Sequence, residues 1–198
     1  AYQALTQWGP IVPGSVVLIT GAAGGVGVAT LQLARAMKLR PLGLSRSARK
    51  RQAIKQLGAE EAFDPTSPDW VDGVKKHLNG QRVDLAVDNV AGAGFSSVIA
   101  TLGDHGKVSV VGRSAGDVPA FNTGTLFFKR LRIGGVAVGA YTPAESQHAW
   151  SEIVRLLNAT SARPVIDSVW NFDQLLEAFA ALDHSPMGKV LVQVAGQG

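Results

Sequence analysis

The sequence predicts a doubly wound α/β fold: a six-stranded parallel sheet with helices on both faces, followed by a C-terminal return segment. Three observations carry that expectation. Between residues 15 and 139, six short apolar runs alternate with stretches of helical period, the pattern of successive βαβ units. The first run, "SVVLIT" (15–20), passes through the glycine-rich stretch "TGAAGGVG" (20–27) directly into a helical period. After Tyr141 the strand spacing changes, which puts a boundary near residue 142.

The elements follow in order. "AYQALTQWG" (1–9) reads as a helix with no cap residue ahead of it. "SVVLIT" is the first strand, and residues 25–38 form a helix with Val28, Leu31 and Ala34 at helical spacing. "RPLGLS" (40–45) is a strand, 47–57 a helix closed by Gly58, and "EEAF" (60–63) a short strand. A helix at 68–78, the strand "VDLAVD" (83–88), a helix at 93–102 and the strand "KVSVVG" (107–112) continue the rhythm. A short helix in "TLFFKR" leads to the sixth strand, "LRIGGVAVG" (131–139). Beyond it lie a helix at 143–159, the strand "PVIDSVW", the helix "DQLLEAFAAL" and the strand "GKVLVQV".

Composition narrows the function classes. The 198 residues are 46% hydrophobic and 17% charged, enough for one good core with an appendage. The net charge of +4 is clustered at 46–51 rather than striped along the chain, so no nucleic-acid partner is expected. The absence of cysteine removes disulfides, thiolate catalysis and Cys-ligated zinc from this chain, and fits a cytoplasmic protein. The first charge is Arg35, yet the uncharged stretch before it is no membrane segment. It holds Gln3, Thr6, Gln7, Pro10, Pro13 and the glycines, and it lacks a basic leader region. A strand buried on both faces and a buried helix give the same hydropathy.

The glycine stretch fits three templates. From Gly21 it is G-x-x-G-x-x-G. From Ala22 it is the dinucleotide fingerprint G-x-G-x-x-G with alanine first. From Thr20 it is T-G-x-x-x-G-x-G, a signature of short-chain dehydrogenases. A turn of this kind, joining a strand to a helix, presents free backbone N–H groups and the positive end of the helix dipole to a pyrophosphate. Gly24 lets the backbone approach the phosphates and Gly27 lets the helix pack on the strand, as in the Rossmann fold. The plainer account is a tight turn without ligand. A P-loop is excluded, because no Lys-Ser/Thr pair follows.

The second strand bears on which dinucleotide. An NAD site carries an acid about 20 residues past the glycines, and an NADP site an arginine nearby. Here the sequence is "LSRSARKR", with no acid. Ser47 is placed to cap the following helix, but Lys50 stands where a capping box has Glu. Arg46, Arg49 and Lys50 crowd a helix start whose dipole opposes them. A 2′-phosphate held by Ser45 and these basic groups gives them a reason. The alternative is a solvated basic face, the role expected of Arg51. NADP(H) is therefore expected over NAD(H).

The short-chain reading needs a Tyr-x-x-x-Lys pair for proton transfer. The chain has only Tyr2 and Tyr141, and Glu145 follows the latter where lysine is required. That reading fails, although "DNVAG" (88–92) echoes it. The segments "AYQAL", "PGSVVLITGAAGGVGVATLQLARAMK", "KQLGAEEAFD", "VDLAVDNVAG", "LGDHGKVSVVG" and "GKVLVQV" instead resemble the medium-chain dehydrogenase/reductase superfamily, in its zinc-independent quinone oxidoreductase branch. The resemblance covers essentially the whole chain.

By that resemblance, Gly24, Gly25, Val26 and Gly27 cradle the pyrophosphate, and Lys50 lies near the 2′-phosphate. Asn89 and Gly92 lie beside the ribose at the end of strand four. Gly112 and Arg113 at the end of strand five, with Val138 and Gly139 at the end of strand six, lie near the nicotinamide. One departure is "FDPTS", with Pro65 where many relatives have a tyrosine against the adenosine. The resemblance implies residues 1–12 as a linker helix from an N-terminal catalytic domain preceding Ala1, 13–142 as the NADP-binding domain, and 143–198 as the return to the catalytic domain.

The implied reaction is hydride transfer from NADPH to a quinone, enone or other activated double bond in a small-molecule substrate, by the full protein and not by this half alone. The alternatives are an NADP(H)-sensing module without catalysis, or the enoyl reductase segment of a larger synthase. No residue here reads as catalytic or as a metal ligand. His77, His105, His148 and His184 are scattered, and Asp88 reads as a strand-end acid bonded to backbone. Relatives pair the sixth strand across a two-fold axis, so a homodimer through 131–139 is expected. The alternative is that the helix at 143–159 covers that edge.

Overall fold

The structure, a computed structural model, describes residues 1–117 and 121–194. Helix α1 (Tyr2–Thr6) precedes strand β1 (Val16–Ile19), helix α2 (Gly25–Ala36) and strand β2 (Arg40–Leu44). Helix α3 (Ala48–Gln56), strand β3 (Glu61–Phe63), helix α4 (Trp70–Leu78) and strand β4 (Val83–Asp88) follow. Then come α5 (Phe95–Thr101), β5 (Leu102–Val110), α6 (Gly124–Lys129) and β6 (Arg132–Gly135). The C-terminal part comprises α7 (Pro143–Ala159), β7 (Ile166–Asn171), α8 (Leu175–Asp183) and β8 (Lys189–Gln193).

Strands β1–β6 form one wholly parallel sheet in the order β3-β2-β1-β4-β5-β6. The α/β class and the six strands match the expectation. β1 shows why its sequence is apolar throughout. Val17 and Ile19 point into a core with Leu31 and Ala34 of α2, Ile54 of α3 and Leu156 of α7. Val16 and Leu18 point the other way, into a core with Trp70 and Val74 of α4 and Val98 of α5. All four are essentially inaccessible, and burying each contributes about 1.5–3 kcal/mol. Gly43 in β2 brings α3 close, since a Cβ there would sit 2.6 Å from Ile54 Cδ1.

Two strands of this sheet depart from their expected extents by more than one residue at an end. β6 ends at Gly135 instead of 139, and residues 138–140 form a 3₁₀ turn. The reason is its neighbour. Val136 N–H still donates to Val110 O, but β5 ends there and leaves 137–139 nothing to pair with. β5 begins at Leu102 instead of 107, yet its register against β4 jumps from Val83↔Leu102 to Leu85↔Lys107. The intervening turn holds His105 at φ +59, so the regular ladder still starts at Lys107. β6 and β3 are the sheet's two edge strands. Helix α7, begun by a Thr142–Glu145 capping box, packs against α1 and α2. β7 and β8 pair with each other in parallel as a separate two-stranded sheet.

Candidate functional site

The strand order reverses between β1 and β4, and the crevice beyond the carboxyl ends of those parallel strands is where open α/β sheets hold ligands. The glycine turn stands there. Gly24 N–H donates to Gly21 O at 2.9 Å, and the first helical bond runs from Val28 N–H to Gly24 O. Between them, the Gly25 N–H faces Gly188 O across the Gly24–Gly188 bridge, and the N–H groups of Val26 and Gly27 find no acceptor among the described residues. No acid occupies the first turn of α2 to take up its dipole. A Cβ on Gly27 would lie 2.4 Å from Gly21 O and 2.6 Å from Ala22 Cα, so only glycine lets α2 start this close to the turn. Free amides, a bare helix start and glycine backbone make a cradle that fits a diphosphate.

At the end of β2, Ser47 caps α3 by accepting from Lys50 N–H. Arg46 and Arg49 are exposed, and neither guanidinium has a hydrogen-bond or ion-pair partner among the described residues. Lys50 is different: its ammonium donates to the Ser185 carbonyl. Arg51 corrects the expectation of a solvated residue. Its Nη1 donates to Ser45 O at 2.8 Å, Arg46 O at 2.9 Å and Asp64 Oδ2 at 2.9 Å. It therefore braces the turn that presents Ser45 and Arg46. The Thr66 hydroxyl and amide, and then Arg51, hold the Asp64 carboxyl below its ordinary value.

At the end of β4, Asn89 N–H donates to Thr20 Oγ1 at 2.8 Å and its Nδ2 to Thr20 O at 2.8 Å. Gly92 takes φ +65, and a Cβ on it would meet Ala115 O at 2.7 Å. Gly112 packs on the Asn89 carbonyl, where a Cβ would sit at 2.9 Å. The structure thus gathers Gly24–Gly27, Asn89, Gly92 and Gly112 around the crevice. Arg113 is exposed and paired with Asp117 at 2.7 Å. Val138 and Gly139 lie in the 3₁₀ turn beyond β6, not at a strand end. His77 bonds Glu60, and His184 caps α8 near Ala180 O.

The C-terminal segment adds a contact that local sequence reasoning does not reach. Gly188, at φ +82, donates its N–H to Ala23 O at 3.0 Å and bridges Gly24. Lys189 Nζ lies 3.0 Å from where a Gly25 Cβ would stand. Residues 185–189 thereby run from Lys50 to the glycine turn. No spacing signal joins segments this far apart in the chain.

The fold and this turn define a dinucleotide-binding α/β domain. The chain belongs to the zinc-binding dehydrogenase family, whose model matches residues 25–159. It is the cofactor-binding portion of a quinone oxidoreductase-like member of the medium-chain dehydrogenase/reductase superfamily. It is 30% identical to human quinone oxidoreductase over 184 residues, which is 93% of this chain and 55% of that protein. The chain thus spans about half the length of the curated relatives it matches. A solved NAD-dependent alcohol dehydrogenase superposes with a TM-score of 0.86 at 26% identity, over 98% of this chain and 55% of that one. Escherichia coli quinone oxidoreductase complexed with NADPH shares the fold at a TM-score of 0.85 and 24% identity, over 97% of this chain and 61% of that one. Among the described residues no three His, Cys, Asp or Glu side chains lie together as a metal site. No described helix is long and apolar enough to cross a membrane.

Proposed function

We propose that this chain binds NADP(H) as the cofactor half of an oxidoreductase acting on a quinone, an enone or another activated double bond. The observation that supports this most is the pair of free amides, Val26 and Gly27, at the bare start of α2, set in the crevice between β1 and β4. The unpaired Arg46 and Arg49 at the end of β2 favour the 2′-phosphorylated dinucleotide. Bound NADPH supplies a hydride from nicotinamide C4. The chain's own residues bind and orient it: Val26 and Gly27 through their amides, Ser45, Arg46 and Arg49 at the adenosine end, Asn89, Gly92 and Gly112 along the other half. Lys50 reaches the 2′-phosphate by exchanging its Ser185 carbonyl for phosphate oxygen. Residues 13–142 carry this site, with 1–12 and 143–198 connecting it to the part that holds the substrate.

The test is NADPH oxidation by the complete protein that contains this chain, against a panel of quinones, enones and simple alcohols or aldehydes. The expected result is turnover with quinones or enones and NADPH. Turnover confined to the alcohol–aldehyde pair, or none with any electrophile, overturns the substrate class.

A further inference from the structure

Asp88 is 1% exposed and carries a carboxylate into the middle of the domain. Its Oδ1 takes three donors: the Thr20 hydroxyl at 2.6 Å, Val90 N–H at 3.1 Å and Ala91 N–H at 3.2 Å. Its Oδ2, and the neighbouring Asn89 Oδ1, are buried with no partner among the described residues. The turn they hold is strained. Ala91 sits at φ 55, ψ −140, a conformation that glycine adopts and alanine avoids. A sheet built for stability alone would place an apolar residue at this strand end.

The strain has a definite location. Thr20 is the last residue before the glycine turn, and its hydroxyl donates to Asp88 while accepting from Asn89 N–H. Val90 packs on Gly21, where a Cβ would touch Val90 Cγ2 at 3.3 Å. Val90 O accepts from Ala115 N–H at 2.9 Å, and Asp88 O accepts from Val111 N–H at 2.8 Å. The carboxylate therefore ties the loops after β1 and β4 together, and the backbone carbonyls of Asp88 and Val90 add the loop after β5, on the side of the crevice away from Ser45 and Arg46.

We infer that the Asp88–Thr20 pair is a positioning device, which holds the Asn89–Gly92 turn where it receives the nicotinamide half of the dinucleotide. This inference rests on the cofactor reading above and adds to it a residue pair that touches no ligand. Because the pair serves only one half of the site, its loss should separate two ligands. Adenosine 2′,5′-bisphosphate uses the β2 side and not the turn after β4, whereas NADPH uses both.

The experiment is calorimetric titration of the chain with each ligand, for the parent and for Asp88→Asn, Thr20→Val and Thr20→Ser. The expected result is an NADPH Kd raised about 10-fold or more in Thr20→Val, and raised less in Asp88→Asn, whose amide oxygen still accepts the three bonds, with the bisphosphate Kd within about 2-fold of the parent in both. Thr20→Ser, which keeps the hydroxyl, should recover most of the NADPH affinity lost in Thr20→Val. Equal losses for both ligands would reduce the pair to a structural role and overturn the inference. Unchanged NADPH binding in Thr20→Val would overturn it as well, and that variant decides the matter if Asp88→Asn does not fold. If the parent binds neither ligand, the cofactor reading itself fails and this role with it.

Discussion

Gly27→Ala is the sharpest perturbation of the glycine turn. The added methyl would meet three backbone atoms at once: Gly21 O at 2.4 Å, Ala22 Cα at 2.6 Å and Ala22 C at 2.7 Å. Real Cβ contacts essentially never fall below 3.0 Å, so the start of α2 must move away from β1. No flexible side chain is present to absorb the shift, which puts the cost near the top of the range of about 1–3 kcal/mol for overpacking. Alanine's better helix propensity returns at most about 1 kcal/mol. The net loss of about 2 kcal/mol corresponds to a Tm lower by roughly 4–8 °C in a chain of this size. The same movement misaligns the Val26 and Gly27 amides, so NADPH binding weakens together with stability. Gly94→Ala is the control. Gly94 has helical backbone angles and nothing within 4 Å of its missing Cβ, so alanine there should be neutral or stabilising by up to about 1 kcal/mol. Thermal unfolding followed by far-UV circular dichroism reads both variants. A Gly27→Ala Tm equal to or above the parent's would refute the close-approach reasoning.

Arg51→Ala removes the brace behind Ser45 and Arg46. It should cost about 1–2 kcal/mol in denaturant unfolding, and it should weaken NADPH more than NADH. Equal weakening of both cofactors would deny the brace its role at the 2′-phosphate. Glu60 is held below its ordinary carboxyl value chiefly by the Arg40 guanidinium, and then by His77. A depressed carboxyl contributes stability that is complete at neutral pH and drains as pH falls through its folded value, below about 4.5. Glu60→Gln should therefore lose about 0.5–1 kcal/mol at pH 7, since the pair is about a third exposed, and show a flatter acid limb. A loss that grows as pH falls would contradict the sign. Edge strand β6 leads us to propose a homodimer of the 20.7 kDa chain. Gly135→Lys, at a position with open space, should drive it to monomer in sedimentation equilibrium, and a monomeric parent at high concentration would contradict the pairing.

Much of this was legible locally. The unbroken apolar character of "VVLI" announces burial on both faces, and the structure divides it between two cores. Ser47 announces a cap and supplies it. The rhythm of six strands survives because each βαβ unit writes its own periodicity. The strand ends were harder to see. β6 stops at Gly135 because β5 has run out beside it, a fact about a neighbour rather than about "VAVG". Arg51 looked like any basic residue of a helix, and only the fold brings Asp64 and two carbonyls to it. Asp88 reads as a strand-end acid from its position, and the structure bears that out through Val90 and Ala91. The partner hydroxyl on Thr20 comes from just beyond the end of an adjacent strand, 68 residues away in the sequence. The contact of Gly188 with Ala23 is likewise invisible until the chain returns.

We propose that this crevice takes a 2′-phosphorylated dinucleotide. Parallel titrations with NADPH and NADH test it most directly, in the parent and in the Arg46→Ala/Arg49→Ala double variant. NADPH should bind tighter by at least about 10-fold in the parent, a difference of about 1.4 kcal/mol, collapsing toward parity in the double variant with NADH binding unchanged. Equal affinity of the parent for the two cofactors would contradict it.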